Sequence, residues 1–292
     1  MTGDAERPEA PLPALPLRAL IPNAITVLAL CAGATGVRFA LSGEFEKAAT
    51  AVVVAALLDG IDGRVARLLR GTSRFGAELD SLSDVTAFGV APALILYLWA
   101  LQDLGRLGWV VALALIVCCA LRLARFNAAI DRDDLPKKRL GFTTGVPAPA
   151  GAGLALMPLF WSLAHDGALD AAPETRAVLT AMVVAVTAFL MVSALPGWGF
   201  QAVRVPRQLR LFVLAAVGLF AAALAQAPWM ALFSVGLAYA LAFPFASIVY
   251  RRRLSAERAR VEARPSEPDS AADGAGVLSF RPPAAEAPPP RN

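Results

Sequence analysis

Histidine is almost absent from this sequence: there is one, His165, in 292 residues. That excludes a multi-histidine metal centre and leaves imidazole catalysis a single place to sit. His165 falls in a predicted loop far from the acidic residues discussed below, and it reads as solvated surface. Cysteine is scarce too. Cys31, Cys118 and Cys119 have neither metal-site spacing nor the number for a disulfide framework, and they read as small apolar residues in helices. Charged residues make up only 17% of the chain. The net charge of +4 is not a nucleic-acid signal, because the bases gather at the ends of apolar runs, where anionic headgroups attract them. What fills the chain instead is apolar: 57% of residues, with a mean hydropathy of +0.59. That is the composition of a membrane protein.

The predicted fold class is all-α, a polytopic bundle of about eight transmembrane helices. The runs 20–41, 46–69, 76–101, 107–126, 145–164, 175–195, 209–226 and 228–249 each approach the roughly 20 residues a bilayer requires. Residues 196–208 read as a surface segment with Trp198 at the interface. Residues 1–16 form a flexible Pro- and Ala-rich segment without signal-peptide build. Residues 17–250 form the membrane-embedded domain. Residues 251–292 are a polar and largely disordered tail. Basic residues alternate by loop. Arg64, Arg67, Arg70 and Arg74 follow the second run. Arg122, Arg125, Arg132, Lys137, Lys138 and Arg139 follow the fourth, Arg204, Arg207 and Arg210 the sixth, and Arg251, Arg252 and Arg253 the eighth. The positive-inside rule then places both termini and the aspartate site in the cytoplasm, and the inner membrane is the expected location.

Against this apolar background stand Asp59, Asp62, Asp80 and Asp84. A carboxylate at the centre of a spanning helix costs roughly 2.5–3.5 kcal/mol, so four without compensation cost on the order of 10 kcal/mol. Asp59 and Asp62 are three apart and Asp80 and Asp84 four apart, so each pair shares a helix face. Two such helices facing each other converge four hard oxygen donors on one spot, which suits Mg²⁺ or Mn²⁺ with a substrate phosphate. Two ions held there can clamp a phosphoryl centre. Gly63, Ala66 and Gly76 leave room for close approach, and Arg67 can meet a phosphate.

The spacing resembles the signature of the CDP-alcohol phosphatidyltransferase family, D-x2-D-G-x2-A-R-x8-G-x3-D-x3-D. Asp59, Asp62, Gly63, Ala66, Arg67, Gly76, Asp80 and Asp84 all match it. Further strings resemble the serine-accepting branch: Ile21-Pro22-Asn23, Phe88-Gly89-Val90-Ala91-Pro92-Ala93, Arg122-Leu123-Ala124-Arg125-Phe126-Asn127 and Gly145-Val146-Pro147-Ala148-Pro149-Ala150. The likeness covers residues 20–160 in detail.

The resemblance implies a homodimeric membrane enzyme whose substrates are CDP-diacylglycerol and L-serine, whose leaving group is CMP, and whose cofactor is Mg²⁺ or Mn²⁺, two ions per site. It makes Asp59, Asp62 and Asp80 metal ligands. Asp84 becomes the general base, with a hand in the metal site, and Asp80 and Arg67 join it as catalytic residues. It assigns CDP-diacylglycerol binding to Asp59, Asp62, Gly63, Ala66, Arg67 and Gly76. For the serine carboxylate or a phosphate the candidates are Arg122 and Arg125, three apart at a helix end, with interfacial snorkelling as the competing reading. Asn127, Thr143 and Thr144 are further polar candidates. Pro92, Pro147 and Pro149 are expected to kink helices near the site. Other acceptors (glycerol 3-phosphate, inositol phosphate, choline) and an ion-coupled transporter are the alternatives. The transporter predicts acids strewn along a path, whereas these four cluster at one end.

Overall fold

In the computed structural model, the described residues are 17–69, 73–128, 142–170, 172–193, 196–198, 209–243 and 255. Met1–Arg251 form one compact unit; of the second, Arg252–Asn292, only Ser255 is described. The N-terminal segment, nearly all of the tail, and the bases at 70, 132, 137–139, 204, 207 and 251–253 therefore lie outside the described residues.

The first unit is helical. Helices α1 (Leu17–Leu41), α2 (Phe45–Leu68) and α3 (Arg74–Asp84) come first. The last runs through a π-helical turn (Val85–Val90) into α4 (Ala91–Trp99). After a short 3-10 turn come α5 (Arg106–Ala128), α6 (Ala148–Ala155), α7 (Met157–Ala164), α8 (Pro173–Val192) and α9 (Arg210–Gln226). A further helix, α10, covers Pro228–Phe243.

Among the described residues, four stretches are long and apolar enough to cross a membrane: Leu20–Leu41, Arg74–Trp99, Arg106–Ala128 and Pro173–Val192. This is the build of an integral membrane protein. Helix α2 has the length, at 24 residues, but carries Glu46, Lys47, Asp59, Asp62, Arg64 and Arg67. Residues 145–164, expected as a single span, are two helices of eight residues each, α6 and α7. The break falls at Leu156, just before Pro158, which has no N–H to continue the ladder. The all-α expectation needs one amendment: β1 (Phe142–Thr144) pairs antiparallel with β2 (Pro196–Trp198), Phe142 opposite Trp198. Trp198, expected on a surface segment, thus sits in this pairing, and residues 199–208 lie outside the described residues.

Lipid offers no hydrophobic drive between helices, so close approach of small residues must hold them together. Helix α1 buries a stripe at Asn23, Thr26, Ala29, Gly33, Gly36 and Ala40, spaced three and four apart. A Cβ on Gly33 would lie 2.7 Å from Ala87 Cα, and one on Gly36 3.1 Å from the Ala48 carbonyl oxygen. Helix α2 answers with Ala48, Ala49, Val52 and Ala55, and the same stripe runs on to Asp59 and Asp62. Phe88, Ile95, Leu96, Leu115 and Leu159 fill the centre. The outer faces carry large exposed apolar side chains, among them Leu57, Val117, Phe189, Leu211 and Phe212, as expected of a lipid-facing surface.

At the end of the bundle away from the aspartates, Arg176 ties two connections together. Its guanidinium donates to Asp170 (2.8 Å) and Asp103 (3.1 Å) and lies 5.5 Å from the centre of the Trp99 ring. His165 closes α7, exposed as expected, with its ring 4.0 Å from that of Trp161.

Two glycines with positive φ give a test of this packing. Gly43 (φ 76°), between α1 and α2, has open space around it, whereas a Cβ on Gly145 (φ 70°) would lie 2.7 Å from the Met191 carbonyl oxygen. Gly43→Ala is expected to cost about 1 kcal/mol for the strained φ alone, and Gly145→Ala about 3 kcal/mol or more. Thermal unfolding in detergent checks the order; equal shifts would contradict the packing around Gly145.

Candidate active site

Three helices build the site. Thr26 of α1 meets Asp62 of α2, while Gly36 meets Ala48, so the two helices run antiparallel. Asn23 lies against Gly76 and the Thr26 carbonyl against Ser83, so α1 and α3 run parallel. The starts of α1 and α3 and the end of α2 therefore meet at one end of the bundle. The polar end of α2 is the extension of its buried stripe. Helix α3 starts at Ser73, whose Oγ accepts from the Gly76 N–H at 3.0 Å, a side-chain N-cap that fixes where Gly76 and Asp80 fall.

Asp59, Asp62 and Asp80 each bring a carboxylate oxygen within 4.8 Å of the others. Asp62 is only 5% exposed, and its Oδ2 accepts a 2.7 Å hydrogen bond from Thr26 Oγ1. The Thr26 hydroxyl also lies 3.1 Å from the Pro22 carbonyl oxygen. With one proton to give, it gives the stronger bond to the charged acceptor. Asp84 lies one turn beyond Asp80, and its carboxyl hydrogen-bonds that of Asp59. Two carboxyl groups in such contact either share a proton or share a cation. The donor set, oxygen only and acidic, fits a hard divalent ion.

Beside the carboxylates opens a cavity of about 350 Å³ lined by Pro22, Asn23, Thr26, Asp62, Gly63, Ala66, Arg67, Ser73, Gly76, Ala77 and Asp80. Asp62, Gly63, Ala66, Arg67 and Gly76, five of the six substrate candidates, are among the lining residues. A Cβ on Gly63 would meet nothing within 4 Å, whereas one on Gly76 would lie 2.8 Å from Asn23 Oδ1. Gly63 thus borders open space, and Gly76 makes room for a neighbouring side chain. Arg67 is exposed, with its Nε held by the Gly63 carbonyl oxygen at 3.0 Å.

The acceptor candidates separate. Arg125 donates to the Val192 carbonyl oxygen and so ties α5 to the end of α8. Arg122, a turn earlier, is half-buried; its Nε has no hydrogen-bond partner, and it interacts electrostatically with Asp84 and with Tyr239 of α10. Asn127 donates to Ser81 Oγ at 2.9 Å, on α3 between the two aspartates. Thr143 and Thr144 lie in β1, and their side chains lie outside the described residues. Of the prolines expected to kink helices, Pro92 and Pro149 lie in the first turns of α4 and α6 and Pro147 just precedes α6, so all three mark helix starts. The π turn starts at the residue after Asp84, a kind of irregularity that recurs at functional sites.

The sequence reading missed Thr26, Ser73, Ser81, Ser83 and Tyr239. A polar residue on the small-residue stripe of an apolar helix is the signal that marks Thr26. Nothing local marks Tyr239.

A membrane-embedded helical bundle with an acidic cluster at one end defines the class, and comparison with known sequences gives the family. The profile described as CDP-alcohol phosphatidyltransferase matches residues 19–192, and one described as CDP-alcohol phosphatidyltransferase 2 matches residues 208–250. The chain belongs to the CDP-alcohol phosphatidyltransferase family. It is similar to the CDP-diacylglycerol–serine O-phosphatidyltransferase of Mycobacterium tuberculosis, 40% identical over 227 residues and 78% of each chain. The protein of that name from Mycobacterium leprae is 40% identical over 78% of this chain and 74% of its own. The one from Helicobacter pylori is 43% identical over 138 residues, 47% of this chain and 56% of its own.

Residues that orient metal ligands typically govern affinity by 10–100-fold. Thr26→Val, which removes the donor to Asp62, is expected to weaken Mn²⁺ binding by at least about tenfold, and Thr26→Ser to restore most of it. Calorimetric Mn²⁺ titration of the detergent-purified protein reads this directly; unchanged affinity in Thr26→Val would remove that role.

Proposed function

We infer that this chain transfers the phosphatidyl group of CDP-diacylglycerol to the hydroxyl of L-serine, releasing CMP. The observation that carries the reading is the meeting of Asp59, Asp62 and Asp80 beside a cavity that also holds Gly63, Ala66, Arg67 and Gly76. Relatives bearing the name of this activity align over 78% of the chain.

Asp59, Asp62 and Asp80 would hold Mg²⁺ or Mn²⁺, and Asp84 would help hold a second ion. Bound there, the metal offsets charge on the diphosphate and on the departing CMP. The chain's own groups do the rest. Gly63 and Ala66 let the nucleotide diphosphate lie close to α2. Arg67, its Nε already tied down, presents the remaining guanidinium donors to a phosphate oxygen. Asp84 accepts the proton of the serine hydroxyl. The serine oxygen bonds to the phosphorus that carries diacylglycerol, the bond from that phosphorus to the bridging oxygen breaks, and CMP leaves with the electron pair. Arg122, beside Asp84 and with an unpaired Nε, takes the serine carboxylate. Arg125 and Asn127, already engaged with Val192 and Ser81, position the end of α5 rather than bind substrate.

In the membrane this reading takes eight helical crossings, α6 and α7 counting as one. Both termini and the aspartates lie on the cytoplasmic side of the inner membrane, where cytidine nucleotides are available. Arg64, Arg67 and Arg74 at the aspartate end support that orientation. The family resemblance adds a homodimer.

Detergent-purified protein given CDP-diacylglycerol and Mn²⁺ or Mg²⁺ is expected to release CMP with L-serine and not with glycerol 3-phosphate, inositol phosphate or choline. Release with another acceptor alone would keep the chemistry and overturn the substrate. Asp84→Asn and Asp59→Asn, each shown to be folded, are expected to lose about 100-fold or more of the rate; near-full release by either would remove the role given to it.

A further inference from the structure

Helix α3 carries two of the four aspartates, and apolar packing does little to hold it. Of its residues, all of them described, only Ser83 is buried, and its large apolar side chains Phe75 and Leu82 are 56% and 67% exposed. Directly after Asp84 the helical ladder gives way to the π turn, so α4, firmly packed through Ile95 and Leu96, does not continue the α3 pattern. Contacts made by α3 itself must therefore fix how it is rolled about its axis. That roll decides where Asp80 and Asp84 point.

Two hydroxyl groups lie between those aspartates, in the run Asp80-Ser81-Leu82-Ser83-Asp84. Ser83 Oγ donates to the Thr26 carbonyl oxygen of α1 at 3.1 Å. Ser81 Oγ donates to the Ala77 carbonyl oxygen one turn back, at 3.0 Å, which leaves it as an acceptor for Asn127 Nδ2 of α5 at 2.9 Å. Successive side chains of an α-helix stand about 100° apart. Counted from Asp80, Asp84 is at about +40°, Ser81 at about +100° and Ser83 at about −60°. The two aspartates are thus centred at about +20°, with a serine about 80° to either side. Leu82, at about +200°, points the opposite way, in keeping with its exposure. One serine is held by α1 and the other by α5, so a roll of α3 in either sense moves both off their partners.

We propose that Ser81 and Ser83 are positioning residues that together lock the roll of α3, and so aim Asp80 and Asp84 at the carboxylates of α2. For Asp84 this rests on the function proposed above; for Asp80 it rests on the carboxylate cluster alone. Neither serine is among the residues lining the cavity, so both act through the aspartates. Ser83 reaches Thr26, whose own hydroxyl holds Asp62, and one residue of α1 thereby ties together both helices that carry the aspartates.

The test uses the full chain in detergent, read by calorimetric Mn²⁺ titration and by CMP release from CDP-diacylglycerol with L-serine. Either serine alone still holds one side of the helix, so Ser81→Ala and Ser83→Ala are each expected to lower kcat about threefold. With both bonds gone, the double variant is expected to lose about 100-fold, well beyond the product of the two, and about tenfold in Mn²⁺ affinity. KM for CDP-diacylglycerol should stay within about twofold, because Gly63, Ala66 and Arg67 belong to α2. Ser81→Thr keeps the hydroxyl and should act as the parent does. Ser83→Cys keeps the volume but is a weak donor, and should resemble Ser83→Ala. Leu82→Ala, on the far face, should leave kcat and Mn²⁺ affinity unchanged whatever it does to thermal stability. A double-variant loss no greater than the product of the single ones, or a Leu82→Ala loss as large as that of the serine variants, would overturn the lock. If the double variant does not fold, Ser83→Ala and Ser83→Cys decide: an equal fall in kcat with KM kept supports the lock, and parent-like rates overturn it. A parent that releases no CMP with any acceptor would overturn the proposed function and leave the Mn²⁺ titration to decide the lock. A parent that turns over normally, with the serine variants indistinguishable from it, would overturn the lock alone.

Discussion

A carboxylate placed inside an apolar bundle must be given something to hold it, and this fold is arranged around that requirement. Asp62 is the most demanding case, nearly sealed from solvent and anchored by the Thr26 hydroxyl. That bond requires α1 to lie close along α2, which Gly36 permits by bringing its backbone against Ala48. It also requires α3 to lie beside α1, which Gly33 permits by admitting the π-helical turn at Ala87. The small residues and the acidic ones thus belong to one design: the former bring the helices together and the latter use the proximity.

The two ends of the bundle meet the cost of charge differently. At one end Arg176 is matched by Asp103 and Asp170, a cation surrounded by its own counter-ions. At the other end like charges are gathered and left short of cations. Arg67 is directed to a backbone carbonyl oxygen and Arg125 to another. Matched ions are a structural fastening. An unmatched cluster of one sign is a site that expects charge from outside.

The helices and the aspartate cluster were readable because both are local properties. Asp59 and Asp62 declare a shared face through their spacing, as do Asp80 and Asp84, and the apolar runs gave the segments that the structure divides into helices. Features that depend on contacts distant in sequence were not readable. Arg122 and Arg125 share a spacing rule, yet one lies beside Asp84 and the other reaches the end of α8, a difference set by where α8 and α10 pack. The pairing of Phe142–Thr144 with Pro196–Trp198 joins segments with no strand pattern of their own. The π turn carries no sequence mark beyond Gly89, which packs against Cys119.

The hydrogen bonds that close the site span short stretches of chain: Thr26 reaches Asp62 across 36 residues and Ser83 reaches back to Thr26 across 57. Every group of the carboxylate cluster and its cavity falls between Pro22 and Asp84. These three helices precede the other described helices in the chain, so little of it must be ordered before they can meet. The carboxylate cluster is therefore able to assemble before α5 and the described helices that follow it are made. Helices added later enclose a chamber that already exists, and α10, which brings Tyr239 beside Arg122, arrives after α1 to α9.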